Sequence, residues 1–456
     1  MNRAALSQLS KEELIDIILA QAAQIELLGR RIAELEARLG GPPKRSDNSS
    51  VPPSRDRKAN RPERPKGARR EASVGRAGGG RKPHPNPDRV VEETATRCPH
   101  CQAALAAAGQ TPMRVYDKIE LPPVRPLVTR VILRGCRCRR CGRCVVAAAP
   151  AGLEPGSPFG RSIMALAVYL RYTHAISYER LAALFGHLFG LAISEGALAN
   201  LLARAAPLFD SAANRIRTRL RRARLVCSDE TSARVGGKNQ WEWVFQNDAV
   251  SLHVIRPSRA RAVPVEVLGG HRPQVWVSDL YGAQRGHAEA WQVCLAHQLR
   301  DCDFAVEAGD TIFAPAVKQV LLDAIAIGRR GRGLQDSTRR SHRADIERRM
   351  DRAMVRQPTA KDGIRLRQRY GQVRDHLFTF LTDPSVPATN NGSERDLRPS
   401  VTYRKVTNGF RAQWGADLFA GIRSVIDTGR RHALSPFDAI QRALAGQSLF
   451  AAHSPG

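Results

Sequence analysis

The sequence has no apolar run approaching the ~18–20 residues that cross a bilayer, so no membrane-spanning helix is expected. It shows no signal peptide pattern, because Lys11, Glu12, Glu13 and Asp16 interrupt the N-terminal apolar residues. It is short of acid: 43 Asp and Glu stand against 72 Lys and Arg, a formal charge of +29 on 456 residues. That excess favours a polyanionic partner, nucleic acid before a membrane surface, because the basic residues are spread through every segment. It also lacks the even cysteine set of a secreted disulfide scaffold. Nine cysteines are present and six fall within 98–144, a pattern that fits a reduced, intracellular compartment and a metal site. No Arg/His/Arg/Tyr constellation surrounds Tyr281 or Tyr403, which sets aside a tyrosine recombinase.

Several segments are present in their place. Ser10 and Glu13 make a capping box for a helix over 10–39. Leu14, Ile18, Ile25, Leu28, Ile32, Leu35 and Leu39 form an apolar seam with Gln21 in the polar slot, so residues 1–40 read as a coiled coil for self-association. Residues 41–90 are a basic Pro/Gly-rich linker; over 40–90, 14 Lys and Arg face five acids. Residues 91–150 form a zinc-ribbon-like module. Cys98-x2-Cys101 is one knuckle; Cys136, Cys138, Cys141 and Cys144 offer two overlapping choices for the second. A strand-like stretch, 118–135, separates them. Residues 151–222 are helical, with Ser177 and Ser194 as N-caps and Gly190 as a stop, and are compatible with a helix-turn-helix or a plain connector.

From 223 the pattern becomes mixed α/β: three strands, a helix, a strand, a helix and a strand, running to 304. A charged helical insertion is expected at 305–384. The core resumes over 385–431, and a C-terminal helix and tail occupy 432–456. Trp241, Trp243 and Trp276 read as core residues.

Asp229 ends the strand of Leu225, Val226 and Cys227; Asp279 ends that of Val275, Trp276 and Val277. Two anions at one sheet edge repel unless a cation lies between them. Glu394 supplies a third carboxylate. Divalent cations of this kind take oxygen ligands and leave room for phosphate oxygens and water. Arg395, Arg398, Arg404 and Lys405 would hold DNA phosphates beside them. Asp396 reads as a salt-bridge partner, His297 and Asn391 as support, and Asn390 and Gly392 as DNA-positioning or turn residues.

The stretches "DETSARV", "WVSDLYGAQ", "CLAHQLRD" and "TNNGSERDLRPSVTYRKVTNGFR" resemble the large transposase of the insertion sequence 66 family, bacterial DDE-type enzymes. The likeness extends to the N-terminal helix, the basic linker, "CPHC", "CRRC" and the C-terminal "TGRR". It implies an RNase H-like core with a helical insertion before the last acid. It implies cleavage and strand transfer at inverted repeats, dependent on two Mg²⁺ (or Mn²⁺) ions held by Asp229, Asp279 and Glu394. It favours Cys98, Cys101, Cys138 and Cys141 as ligands of one structural Zn²⁺; Cys136 and Cys144 depart from the family pattern. The expected partners are element ends and target DNA, a second copy through the N-terminal helix, and accessory transposition proteins. The expected setting is the bacterial cytoplasm, at the nucleoid. The alternatives are a zinc-dependent DNA-binding regulator, a relic without chemistry, and a resolvase-like nuclease that cuts without joining.

Overall fold

The computed structural model describes residues 10–39, 44, 45, 48 and 82–450. Most of the basic linker therefore lies outside the described residues. The chain divides into two compact units, one of Met1–Asp56, Arg130–Gly186 and Ala192–Gly456, the other of Arg57–Thr129 and His187–Leu191.

Helix α1 spans Lys11–Leu39. The capping box forms at its start: Ser10 N donates to Glu13 Oε2 at 2.7 Å, and Glu13 N donates to Ser10 Oγ at 3.2 Å. Ile18, Ile25 and Leu28 of the seam are uncovered, at 63%, 70% and 52% exposure.

The larger unit is built on a five-stranded sheet: β3 (Leu225–Val235), β4 (Lys238–Gln246), β5 (Ser251–Arg256), β6 (Val275–Ser278) and β7 (Ala290–Val293), in the order β5-β4-β3-β6-β7. A separate hairpin, β1 (Gly135–Arg137) with β2 (Cys144–Val146), precedes it. The β3–β4 and β4–β5 pairs are antiparallel; β3–β6 and β6–β7 are parallel. Gly236 and Gly237 close the β3–β4 hairpin at φ +55° and +76°, the left-handed backbone a two-residue turn requires.

Helices α2 (Arg161–Thr173), α3 (Tyr178–Phe189) and α4 (Glu195–Leu220) come before the sheet. Ser177 and Ser194 cap α3 and α4 through Arg180 N and Ala197 N, and α3 stops before Gly190 at φ +64°. Helix α5 (Ala262–Leu268) links β5 to β6. The helix expected between β6 and β7 is only a single 3₁₀ turn at Gly282–Gln284. Eleven residues separate those parallel strands, too few for a full crossover helix. The strand-like stretch 118–135 is also corrected: it pairs only at its end, in β1. Its alternating apolar residues Ile119, Leu121 and Val128 are exposed.

The expected last strand is corrected: only β7 pairs, and from Leu295 the chain is already helix α6 (Leu295–Glu307). The stretch 305–384 is helical as read: beyond the end of α6 it holds α7 (Phe313–Arg330), α8 (Asp336–Met354), α9 (Lys361–Val373) and α10 (Thr379–Thr382). Its apolar faces share one core with Cys227, Val275, Val277 and Val293 of the sheet. Helices α11 (Asn391–Thr407), α12 (Gln413–Arg431) and α13 (Pro436–Leu444) complete the chain, with α12 packed against both β5 and α4. Among the described residues no helix is long and apolar enough to cross a membrane.

Candidate active site

Parallel pairing of β3 with β6 sets the first two carboxylates. Cys227 is opposite Val277, and Asp229 and Asp279 each follow two residues later. Asp279 lies just past the end of β6, whereas Asp229, read from the sequence as a strand end, is the fifth residue of β3, which continues to Val235 in pairing with β4. Asp229 is half-buried, and its carboxyl is pushed well above the usual range, first by desolvation and then by the charges of Glu230 and Asp279. Its Oδ1 accepts from Glu230 N at 2.9 Å, and Asp279 Oδ1 accepts from Tyr281 N at 2.9 Å.

A staple joins β3 to the loop after β6. Glu230 is almost wholly buried and accepts from Arg259 Nε and Nη2 at 2.9 and 2.7 Å. The Arg259 guanidinium lies 3.8 Å from the Tyr281 ring centroid and 4.6 Å from that of Trp241. Tyr281 Oη donates to Arg259 O at 3.1 Å. Gln284 donates to Glu230 Oε2 at 2.6 Å and accepts from Trp276 Nε1 at 3.1 Å. Sequence reading misses this group because its members are spread over 230–284. It also places Trp241 in the core. Trp243 and Trp276 are buried there, but Trp241 is partly exposed beside Arg259.

Helix α11 brings Glu394. Its first turn is fastened to the sheet. Asn390 Nδ2 donates to Ser228 O at 2.7 Å, one residue before Asp229. Asn390 N donates to Cys294 Sγ at 3.0 Å at the end of β7, and Asn390 Oδ1 accepts from Ser393 Oγ at 2.7 Å. Gly392 lies close to β4: a Cβ there would come 2.7 Å from Gln246 Nε2, the end of a side chain that would have to shift. Asn390 is therefore an anchor of the helix, whereas Asn391 is exposed.

Glu394 Oε1 lies 3.8 Å from His297 Nε2 and 3.6 Å from Arg300 Nη2, both on the first turns of α6. Burial opposes the His297 imidazolium. The Cys294 thiol and the Asp279 and Asp229 carboxylates outweigh it and push the histidine up to about 9. His297 thus stands between the aspartate pair and Glu394. Arg300, which the sequence did not single out, is the second cation facing Glu394. Among the described residues, no three His, Cys, Asp or Glu side chains form a ready metal cage.

Arg395, Arg398 and Lys405 are exposed, and Arg404 donates to Ser232 Oγ at 3.1 Å across to β3. Asp396 points the other way: it pairs with Arg431 at 2.6 Å and accepts from Ser251 Oγ at 2.6 Å.

A profile of the Transposase IS66 family matches residues 156–418, more than half of the chain and all of this site. The chain belongs to that family. It is thereby a DNA-processing transposase, and DNA is its partner. A second profile, for a family of unknown function (DUF6444), matches residues 3–89. No curated protein matches the chain.

The two cysteine knuckles have the same local conformation. Cys98 N donates to Ala103 O and Gln102 N to Cys98 O, at 2.9 and 2.8 Å; Cys138 N donates to Arg143 O and Gly142 N to Cys138 O, at 2.8 and 2.9 Å. The fifth residue of each is left-handed, Gln102 at φ +60° and Gly142 at +69°. In each, the first thiol is held below its usual pKa by backbone N–H groups: Cys101 and His100 for Cys98, Cys141 and Arg140 for Cys138. Cys136 and Cys144 fall instead on β1 and β2, paired to Val145 and Arg137. The repeated turn supports the pairing of Cys138 with Cys141.

Proposed function

We propose that this transposase is a DDE enzyme that cleaves DNA at the inverted repeats of its element and joins the freed ends to a target, with Asp229, Asp279 and Glu394 as metal-holding carboxylates. The crowding of Asp229 by Asp279 and Glu230 carries this reading. A hard divalent cation relieves such crowding, and the donors are all oxygen. The strand order, with three antiparallel strands followed by two parallel ones at the far edge, supports an RNase H-like core.

Asp229 and Asp279 would hold Mg²⁺ or Mn²⁺, with Glu394 completing the set from α11. The bound metal supplies charge neutralisation at the phosphate and a lowered pKa for the attacking water or 3′-hydroxyl. The chain's own residues do the rest. Arg259 and Glu230 fix the loop of Asp279 against β3 beside Asp229. Asn390 and Ser393 fix the start of α11. Arg300 and His297 present positive charge beside Glu394, where the phosphate's charge would fall. Arg395, Arg398, Arg404 and Lys405 position the backbone without reading its sequence. Zn²⁺ on Cys98, Cys101, Cys138 and Cys141 is the proposed structural metal, supported by the repeated turn and its lowered first thiols.

The test is Glu394→Gln, assayed on a labelled element-end duplex. Mg²⁺-dependent cleavage and strand transfer should be nearly abolished, while binding in the absence of metal is kept or tightened by loss of an anion. Wild-type cutting by the variant would sink the DDE assignment and leave a DNA-binding relic or regulator.

A further inference from the structure

Two stretches beyond the carboxylates contain no acid at all. Residues 231–241 carry Arg234 and Lys238; residues 397–416 carry Arg398, Arg404, Lys405 and Arg411. The insertion is different: across 305–384, 16 Lys and Arg face ten Asp and Glu. Many of its cations are spent internally, as in Arg339–Asp336, Arg349–Asp323, Arg369–Asp301 and Arg374–Glu347. Among the described residues none of the six cations in the acid-free stretches forms a salt bridge, although Arg404 feels the charge of Glu242.

The two stretches form one surface. Val235 bridges Phe410; Gly236 N donates to Phe410 O at 2.9 Å, and Phe410 N donates to Arg234 O at 2.8 Å. Gly409, at φ +104°, permits the contact, since a Cβ would fall 2.4 Å from Arg234 O. Gln240 Nε2 donates to Gln413 Oε1 at 3.0 Å, and Arg404 reaches Ser232. Trp414, 45% exposed, stands beside them.

We infer that this ridge, the β3–β4 hairpin tip with the C-terminal half of α11 and the strap after it, is a docking surface for duplex DNA on one side of the scissile phosphate. Its place relative to the scissile phosphate rests on the carboxylate reading above; the docking itself does not. From Asp229 to Val235 a strand runs about 20 Å, and from Glu394 to Lys405 a helix runs about 16 Å. At 3.4 Å per base pair that is roughly five base pairs, a length over which six cations outside any salt bridge can track a backbone. The insertion, though richer in arginine, is the lesser contact.

The test uses the full chain and a duplex of arbitrary sequence, in chelator, so that binding is read apart from chemistry. Arg234→Gln/Lys238→Gln/Arg411→Gln should lower the slope of log affinity against log salt by about 2.7, roughly 0.9 for each phosphate no longer neutralised. An equal charge loss on the insertion, Arg340→Gln/Arg352→Gln/Arg356→Gln, should change it by less than half of that. In the unmodified chain the duplex should shield Trp414 from acrylamide, measured as the quenching difference between wild type and Trp414→Phe. Equal slopes for the two triple variants would overturn the inference. So would Trp414 left as open with duplex as without it, or shielded only by single-stranded DNA. A failure of Glu394→Gln to lose activity would touch none of these readouts.

Discussion

Removing one carboxylate from the interior should cost this unit more than any surface change. Asp427 on α12 is 2% exposed and takes Arg423, 1% exposed, at 2.6 Å; His253 on β5, wholly buried, lies 3.2 Å away on Nε2 and pairs through Nδ1 with Glu242 at 2.9 Å. Ser400 of α11 donates to Glu242 Oε1 at 2.8 Å. The network thus binds α11 and α12 to β4 and β5. Burial alone would lower His253; hydrogen bonds to Asp427 and Glu242 outweigh it and push the imidazole up to about 9. Burial alone would raise Asp427; Arg423 and then His253 outweigh it and hold the carboxyl at about 2. Asp427→Asn leaves Arg423 and His253 buried without their shared anion. Breaking such a group costs about 3–5 kcal/mol, a fall in melting temperature on the order of 10 °C for a unit of this size. The pH dependence has a definite sign. A histidine raised from 6.5 to about 9 contributes fully below pH 6.5 and loses its contribution as pH rises through 9. The aspartate's contribution is present above pH 3.8 and fades as pH falls through 2. Circular-dichroism melts of wild type should therefore decline between pH 6.5 and 9, and Asp427→Asn should decline less. Melting temperatures within a degree of each other at pH 6, or equal pH slopes, would refute the reasoning.

Arg259→Leu should keep apolar contact with Tyr281 and Trp241 but release Glu230. Cleavage should fall at least tenfold, with the Mg²⁺ concentration for half-maximal rate shifted upward and metal-independent DNA binding unchanged; an unaltered Mg²⁺ dependence would remove the staple's role. Purified protein should contain about one zinc equivalent by metal analysis. Cys138→Ser and Cys141→Ser should lower it, whereas Cys136→Ser and Cys144→Ser should not, and a reversed ranking would overturn the repeated-turn pairing. Ile25→Lys/Leu28→Lys should dissociate the oligomer in light scattering if the uncovered seam of α1 joins copies of the chain; an unchanged mass removes that proposal.

Local signals in the sequence point to their true positions. Ser10, Ser177 and Ser194 cap their helices because a cap depends on three or four consecutive residues. The position of Asp279 just past β6 is visible for the same reason, but that of Asp229 is misread: β3 runs on to Val235 in pairing with β4, across the polar residues that suggested an end. Register is not visible. That Cys227 meets Val277, and so sets the aspartates side by side, depends on pairing across fifty residues. The Arg259 staple and the Asp427 network are hidden by the same distance. Spacing does not resolve the overlapping CxxC choices at 136–144. Backbone conformation favours the pair of Cys138 with Cys141, since among the described residues of 136–144 only Cys138 begins a turn matching the one at Cys98. The helix expected between β6 and β7 fails on length: periodicity describes the residues, but the gap allows one turn.

Helix α11 shows why carboxylates persist in so basic a stretch. Pro399 lies inside it and removes one hydrogen bond of its ladder, so the helix is held by its neighbours on both sides of that break. Before the proline, Asn390 and Ser393 fasten it to β3, β4 and the end of β7, and Asp396 fastens it to Arg431 and Ser251. After it, Ser400 bonds Glu242, and the Tyr403 ring packs 4.6 Å from that of Phe419 and 5.6 Å from that of Phe410. The two acids of this helix therefore divide the work by direction. Asp396 faces the interior and neutralises Arg431. Glu394, two residues earlier and about 200° around the helix, faces His297, Arg300 and the sheet edge. The exposed cations Arg395, Arg398 and Lys405 occupy the remaining faces. A helix with only the cations would gather phosphates and hold them; on the proposed reading, Glu394 is the group on it that would bring a metal to join them.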